Sequence, residues 1–339
     1  MVKSGSLWFP RARAIEFREE ETGPPGGDQV LAQALYSGIS QGTEMLVFRG
    51  EAPEGLELDP SLKTMTGSFR FPIKYGYSSV ARVVETGPNA SLLGSGDVVF
   101  VHHPHQTHYT VSEQLAFRLP EGLSPVLGVF AANVETALNC VHDATIRLGD
   151  SVAVYGQGVV GLLITQLARR CGAGTVFAVD RMAKRRAVAR AVGADYSFDP
   201  DGDDPPEAIR ERTGGLGADV VIEASGAPDA LDSAVKSAAF EGQVVVVSWY
   251  GAKPVTLHLG EDFHRRRLHI RSSQVSHLNP AVAPRWSTRR RMETALRLLS
   301  ELQLDELLSD TFPFDDAARA YEKIEQAPDE VLQVVLSYV

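Results

Sequence analysis

Two textures follow one another along the chain. Over the first 125 residues the apolar positions come in short runs closed by Gly, Pro or Asn. "QVLAQALYSGIS" (29–40) and "YSSVARVVETG" (77–87) read as strands, and "LLGSGDVVFVHH" (92–103) carries a Gly-Asp turn into another. Long helical periodicity is absent there, so the segment predicts a β-rich, barrel-like domain. The pattern changes at Ser124-Pro125. "LGVFAANVETALNCVHDA" (127–144) reads as a helix. After it, apolar runs such as "SVAVYG", "TVFAVD", "ADVVIEAS" and "GQVVVVSWYG" alternate with amphipathic stretches such as "VVGLLITQLARRC" and "PDALDSAVKSAAF". Buried strands alternating with helices predict an α/β fold, a doubly wound parallel sheet covered on both faces. A long helical pattern, "RRRMETALRLLSELQL", a second helix and a strand close the chain. The expected division is 1–125, 126–275 and 276–339. The stretch "DPDGDDPPE" (199–207) reads as an acidic surface loop.

Composition narrows the class. A length of 339 residues suits two domains of about 150 residues each, and 44% hydrophobic residues suffice for a full core. No apolar run approaches the roughly 20 residues that span a bilayer. Arg11 and Arg13 interrupt the N-terminal stretch where a signal peptide would be apolar. A cytoplasmic protein without membrane partners is expected. The net charge of −10 argues against nucleic-acid binding, and two cysteines outside any CxxC pair argue against a disulfide framework or a cysteine-built zinc site. The basic runs at 264–271 and 285–291 read as solvated faces, or as partners for an anionic substrate or cofactor phosphate.

The main chemical signal is Gly156-Gln157-Gly158-Val159-Val160-Gly161. It leaves a strand and opens a helix, and a second strand ends on Asp180, 19 residues after Gly161. In that context GxGxxG is the dinucleotide fingerprint of a Rossmann domain. Gly156 permits the tight turn, Gly158 the approach of a pyrophosphate, and Gly161 close helix–sheet packing. The helix N-terminus offers unpaired N–H groups to phosphate. Asp180 suits ribose hydroxyls and would repel a 2′-phosphate, which favours NAD over NADP; Arg181 works in the other direction.

The chain resembles the medium-chain dehydrogenase/reductase superfamily over nearly its whole length. The resemblance rests on "SGISQGTE" (37–44), "YGYSSVARVVETG" (75–87), "GSGDVVF" (94–100), "LGDSVAVYGQGVVGL" (148–162), "VFAVDRMAKRRAVARAVGAD" (176–195) and "DVVIEASGAP" (219–228). It implies a GroES-like catalytic domain, a Rossmann domain and a return to the catalytic domain. It also implies hydride transfer between a nicotinamide and a carbonyl/alcohol or activated alkene, in the cleft between domains. Zinc members carry Gly-Ile-Cys where this chain has Gly38-Ile39-Ser40, and Gly-His-Glu where it has Gly76-Tyr77-Ser78. The cysteine-rich lobe of structural zinc is absent. Neutral hydroxyls are poor zinc ligands, so neither catalytic nor structural zinc is expected. "SGISQGTE" and the segment 272–299 look most like a zinc-free branch that includes bacteriochlorophyllide-type alcohol dehydrogenases.

Without a metal, hydrogen-bond donors and a proton shuttle must serve the reacting oxygen. By the family pattern Tyr77 stands where an imidazole ligand would; it is a donor candidate or a tyrosine capping the core. Ser40 and Glu44 are candidates to bind substrate or act as base, with a helix N-terminal carboxylate as the plainer role for Glu44. Four histidines, His102, His103, His105 and His108, crowd seven residues. His103 and His105 should share a face, with Pro104 opening a loop that brings one of them to the site as acid/base; a polar surface loop is the plainer role. By resemblance Asn133 and Trp249 line the substrate pocket, and Thr136, Ser225, Gly226, Ser248, Trp249 and Tyr250 lie along the cofactor. Glu135 lies with Asn133 in "ANVETALN", a helix that by resemblance flanks the nicotinamide and substrate, and Gln274 faces the cleft or a dimer interface.

The expected function is NAD(H)-dependent, zinc-independent interconversion of a secondary alcohol and a ketone on a polar metabolite, by a homodimer pairing Rossmann sheet edges. The rivals are a zinc-free NADPH-dependent enoyl or quinone reductase and a catalytically silent nucleotide-binding protein.

Overall fold

The computed structural model describes residues 1–59 and 61–339. In chain order its elements are β1 (Val2–Trp8), β2 (Glu16–Thr22), β3 (Gln29–Ile39), α1 (Thr43–Arg49), β4 (Ser79–Thr86), β5 (Val98–Val101), β6 (His108–Ser112) and β7 (Ala116–Arg118). There follow α2 (Ala131–Ala144), β8 (Ser151–Tyr155), α3 (Val159–Arg170), β9 (Thr175–Val179), α4 (Ala183–Ala191), β10 (Tyr196–Phe198), α5 (Pro205–Arg212) and β11 (Ala218–Glu223). The last are α6 (Pro228–Ser237), β12 (Ala238–Val246), β13 (His269–Ser272), α7 (Thr288–Leu298), β14 (Leu308–Pro313), α8 (Ala317–Gln326) and β15 (Gln333–Ser337). Among the described residues no helix is long and apolar enough to cross a membrane.

The chain forms two compact units, Met1–Ala132 with Glu293–Val339, and Asn133–Met292. These breaks fall later than 125 and 275. The 3-10 turn Pro125–Phe130 packs on β3 and β4, so it belongs with the first unit. Residues after 275 stay with the second unit because Asn279 Nδ2 donates to the His142 carbonyl at 2.9 Å and Trp286 packs on the His142 ring at 4.4 Å.

The first unit is GroES-like and β-rich. Its main sheet runs β14-β15-β3-β4-β5-β7, with β6 also paired to β3, and β1-β2 form a separate hairpin. Alternate positions of its strands fill one core: Val30, Ala32, Ala81, Val83, Val99, Val101 and Val111. Each buried valine or leucine there stabilises the fold by roughly 1.5–3 kcal/mol. One helix, α1, escaped the expectation of an all-strand N-terminal segment. Its seven residues are too few to show a period. Met45, Leu46, Val47 and Phe48 are all buried, and Gly50, at φ +74°, closes the helix by donating to the Leu46 and Val47 carbonyls.

The second unit is a Rossmann fold. All neighbours in its six-stranded sheet, β10-β9-β8-β11-β12-β13, are parallel. The strand order reverses direction between β8 and β11, and the loops after the carboxyl ends of those two strands flank that point.

Candidate functional site

Two sets of residues carry the chemistry, one in each unit. In the second unit β8 runs into Gly156, which adopts φ +88°; a Cβ there would lie 2.5 Å from the Ser225 nitrogen and Cα. At Gly161, in the first turn of α3, a Cβ would overlap the Gly156 carbonyl oxygen. These two glycines are required by close backbone approach. Gly158 differs: its φ is −69°, and the atom nearest its absent Cβ is Arg185 Nη1, 3.7 Å away. Gly158 therefore keeps open space at the start of α3. No side chain caps this helix, so its leading N–H groups stay available to an anion. Val159 and Val160 are half-buried in that turn. Gln157 is fully buried and points inward, donating to the Val154 carbonyl at 2.9 Å and accepting from Thr165 Oγ1 at 3.0 Å.

Asp180, just past β9, is also buried. Its Oδ2 accepts from the Gln157 N–H at 2.7 Å and its Oδ1 from the Met182 N–H at 2.8 Å. One carboxylate thus ties the glycine turn to the end of the neighbouring strand, and each oxygen keeps a lone pair for a sugar hydroxyl. Arg181 points to the surface, where it pairs with Asp201 at 2.9 Å. Arg185 is the guanidinium nearer the turn, with Nη1 4.0 Å from Asp180 Oδ2.

The loops after β11 and β12 are joined. Gly226 donates to Ser248 Oγ at 2.8 Å. Tyr250 donates to the Glu223 carboxylate at 2.7 Å, and burial together with that charge pushes its phenol well above the ordinary range. Trp249 between them is half-buried. Asn133 and Thr136 sit half-buried, three residues apart on α2 and hence on one face. Glu135 is buried and holds Arg291 at 3.0 Å; burial raises its pKa despite that neighbour. Gln274 is exposed and bonds locally to Ser276 and His277.

In the first unit Ser40 directly follows β3, and Glu44 lies in the first turn of α1. The Tyr77 phenol lies near the Ser40 and Thr43 hydroxyls. Burial is the largest influence on this phenol and the nearby Glu44 charge acts the same way; the two hydroxyls act to lower its pKa, which is pushed up to about 12. Three hydroxyls therefore cluster at the β3–α1 junction, and Ser40 and Tyr77 are both half-buried. Ser78 faces away, donating to the Val129 carbonyl at 2.6 Å.

Glu44 is fully buried below this cluster. Its Oε2 accepts from the Ser40 N–H at 3.0 Å. Its Oε1 meets His105 Nε2 at 2.7 Å and also accepts from the Tyr321 hydroxyl. His105 Nδ1 meets Ser37 Oγ at 2.6 Å, and Ser37 reaches Tyr338 at 2.8 Å. The ring of His105 occupies the space of the missing Gly76 side chain, where a Cβ would lie 2.8 Å from His105 Cδ2. Both oxygens of Glu44 are engaged, so it acts as a brace. His103 is buried too, stacked on Tyr109 at 3.7 Å with Nδ1 2.9 Å from the Pro104 carbonyl. Burial lowers its pKa to about 3. The loop after β5 does not carry these histidines outward as a surface loop would. It is tied to β1 by backbone bonds from Leu7 to His105 and from Thr107 to Gly5. Of the five catalytic candidates, Ser40 and Tyr77 come together, Glu44 and His105 pair beneath them, and His103 packs separately.

Among the described residues no three His, Cys, Asp or Glu side chains are grouped to hold a metal ion. Sequence reasoning passed over Thr43, Tyr321 and Glu223. The last had a visible signal: a charged residue ending the apolar run "DVVIE".

The model of a family described as zinc-binding dehydrogenases matches residues 159–301. That span contains neither the 37–44 nor the 75–79 segment. D-guloside 3-dehydrogenase of Escherichia coli (strain K12) is 32% identical over 329 residues, covering 92% of this chain and 93% of that protein. Among solved structures, a protein of Sinorhizobium meliloti 1021 described as a zinc-binding dehydrogenase and bound to NADP has a TM-score of 0.81 at 24% identity, covering 99% of this chain and all of that one. An alcohol dehydrogenase of Escherichia coli CFT073 complexed with NADH has a TM-score of 0.82 at 19% identity, covering 99% of each chain.

Proposed function

This chain belongs to the medium-chain dehydrogenase/reductase superfamily, and from that premise we propose that it interconverts a secondary alcohol and a ketone on a polyol or glycoside, using NAD(H) and no zinc. It is an alcohol oxidoreductase, as its relatives are. The substrate class takes its direction from the guloside dehydrogenase, which matches nearly end to end.

The observation that carries the zinc-free reading is the hydroxyl cluster of Ser40, Thr43 and Tyr77. It occupies positions where the family pattern places thiolate and imidazole. Neutral hydroxyls do not suit zinc, and Glu44 and His105 beneath them are engaged with each other, so this donor set does not fit the metal. It does fit a carbonyl or alkoxide oxygen. A phenol pushed up to about 12 stays protonated at neutral pH and donates. In ketone reduction Tyr77 gives its proton to the nascent alkoxide, and the Ser40 and Thr43 hydroxyls stabilise the phenolate until solvent restores it. In oxidation the same proton moves back. The Ser40 N–H bond to Glu44 holds the serine in place.

A nicotinamide dinucleotide fits the second unit: the uncapped start of α3 and the space at Gly158 would receive the pyrophosphate, and Asp180 the adenosine ribose. When bound, it supplies or accepts the hydride. A buried carboxylate at Asp180 supports NAD over NADP. β13 lies at the edge of its sheet, and an edge strand is a template for a second copy, which supports a homodimer.

The test is turnover of purified protein with NADH and NADPH against ketosugar, simple ketone and enone panels, alongside metal analysis. Expected are ketone reduction preferring NADH, activity unchanged by chelator, and no stoichiometric zinc. Zinc-dependent turnover, or reduction of enones alone with NADPH, would overturn the reading.

A further inference from the structure

We infer that Glu223 is the positioning residue for the nicotinamide half of the cofactor site, setting the loops after β11 and β12 through one buried carboxylate. The inference rests on the dinucleotide reading above and extends it to a residue that need not touch the cofactor.

Glu223 ends β11, in register with Tyr155 of β8 on one side and Val246 of β12 on the other. It is fully buried in the middle of a parallel sheet, where strands are otherwise apolar. Burying a carboxylate is costly unless donors surround it. Among the described residues no ion pair reaches it, and four hydrogen bonds do. Oε1 accepts from the Ser225 N–H at 2.7 Å, Ser225 Oγ at 2.5 Å and the Gly226 N–H at 3.1 Å. Oε2 accepts from Tyr250 at 2.7 Å. Charge-assisted bonds of this kind are stronger and more directional than neutral ones. Two backbone N–H groups and the Ser225 hydroxyl tie down the loop after β11, and the fourth bond holds an aromatic side chain after β12. The Gly226–Ser248 bond closes the link between them. Hydrophobic packing would stabilise the sheet equally well at this position, but it would leave both loops free to move.

Sheet order gives the arrangement its direction. The glycine turn follows β8, and Asp180 follows β9 on one side of it. If Asp180 takes the adenosine ribose, the dinucleotide extends the other way, over the ends of β11 and β12. The Ser225 backbone abuts Gly156 and so marks the boundary between the halves. Glu223 controls only the far side of that boundary.

The test measures NADH and AMP binding by titration calorimetry for the wild type, Glu223→Ala, Glu223→Gln and Tyr250→Phe. AMP reports on the adenosine half alone. Expected for Glu223→Ala is NADH binding weakened about tenfold or more, with AMP within about twofold of wild type. Glu223→Gln should recover most of the loss, since an amide oxygen can accept the loop donors while its NH2 donates to the Tyr250 oxygen. Should the alanine variant fail to fold, Tyr250→Phe carries the comparison, with a smaller NADH loss and unchanged AMP binding. Equal weakening of both ligands marks a general structural role and overturns the inference, as does no weakening of either. A wild type that binds neither ligand overturns the dinucleotide reading itself, and this inference with it.

Discussion

Ser225 leaves no room for a side chain at Gly156: a methyl there would come within 2.5 Å of the Ser225 nitrogen and Cα. Two loops from adjacent strands therefore meet backbone to backbone at the sheet's reversal point. The three glycines of the fingerprint do not share one reason for being glycine, and substitution separates them. Gly161→Ala forces a Cβ against the Gly156 carbonyl and should destabilise the protein by about 1–3 kcal/mol. Gly158→Ala meets nothing closer than Arg185 Nη1 at 3.7 Å. It should change stability by no more than about 0.5 kcal/mol while weakening NADH binding about tenfold or more. Urea denaturation and NADH fluorescence titration read the two effects. A Gly158→Ala protein that binds NADH normally would remove the pyrophosphate from that turn.

Tyr77 is assigned the donor role, and the assignment separates catalysis from binding. Tyr77→Phe should lower kcat about 100-fold and leave NADH affinity unchanged, because an oxygen-stabilising donor acts on the transition state. Ser40→Ala, which removes a hydroxyl beside it, should lower kcat less. Steady-state kinetics with independent NADH titration decide this. A Tyr77→Phe enzyme of full activity would move the proton to another group.

Glu44 predicts a stability effect. Its carboxylate is fully buried and satisfies Ser40, His105 and Tyr321 together. Glu44→Ala leaves three polar groups without their partner and should cost about 3 kcal/mol or more. Tyr321→Phe should cost less, since the carboxylate keeps its other donors. Urea denaturation curves of the two variants provide the measurement; equal, small losses would mean the pair is dispensable.

His103 makes acid stability asymmetric. Its folded pKa is lowered to about 3 from 6.5 by burial. The unfolded chain therefore binds the extra proton first. The stabilising contribution of neutral His103 is complete above pH 6.5, declines as pH falls below that value, and is gone near pH 3. His103→Phe retains a ring to stack on Tyr109 and cannot titrate. Its stability should fall less than that of the wild type between pH 6.5 and 3, by up to a few kcal/mol. Parallel pH dependences for the two proteins would contradict a buried neutral imidazole.

How much of this was legible depended on how local the information was. The Rossmann strands and helices announce themselves because each repeats its pattern within the element, and Gly156, Gly158, Gly161 and Asp180 act within about 25 residues of one another. α1 is about two turns long with five successive buried residues, too short for any periodicity to emerge. The roles of Glu44 and His105 depend on partners 61 and 277 residues away, Glu44 to His105 and Glu44 to Tyr321. No window along the chain contains such a pair. Reading His103 and His105 as loop residues followed Pro104 correctly out of the strand. It could not foresee that the loop would be sewn to β1 and its imidazoles turned inward.

β15 lies between β14 and β3 in the main sheet of the first unit, yet it is made from residues 333–337. During synthesis, then, the ribosome delivers the whole of Asn133–Met292 before it delivers the strand that β3 is waiting for. A nascent chain halted short of Gln333 would carry a finished nucleotide-binding half beside a sheet with one seam still open, and with Ser37 not yet joined to Tyr338.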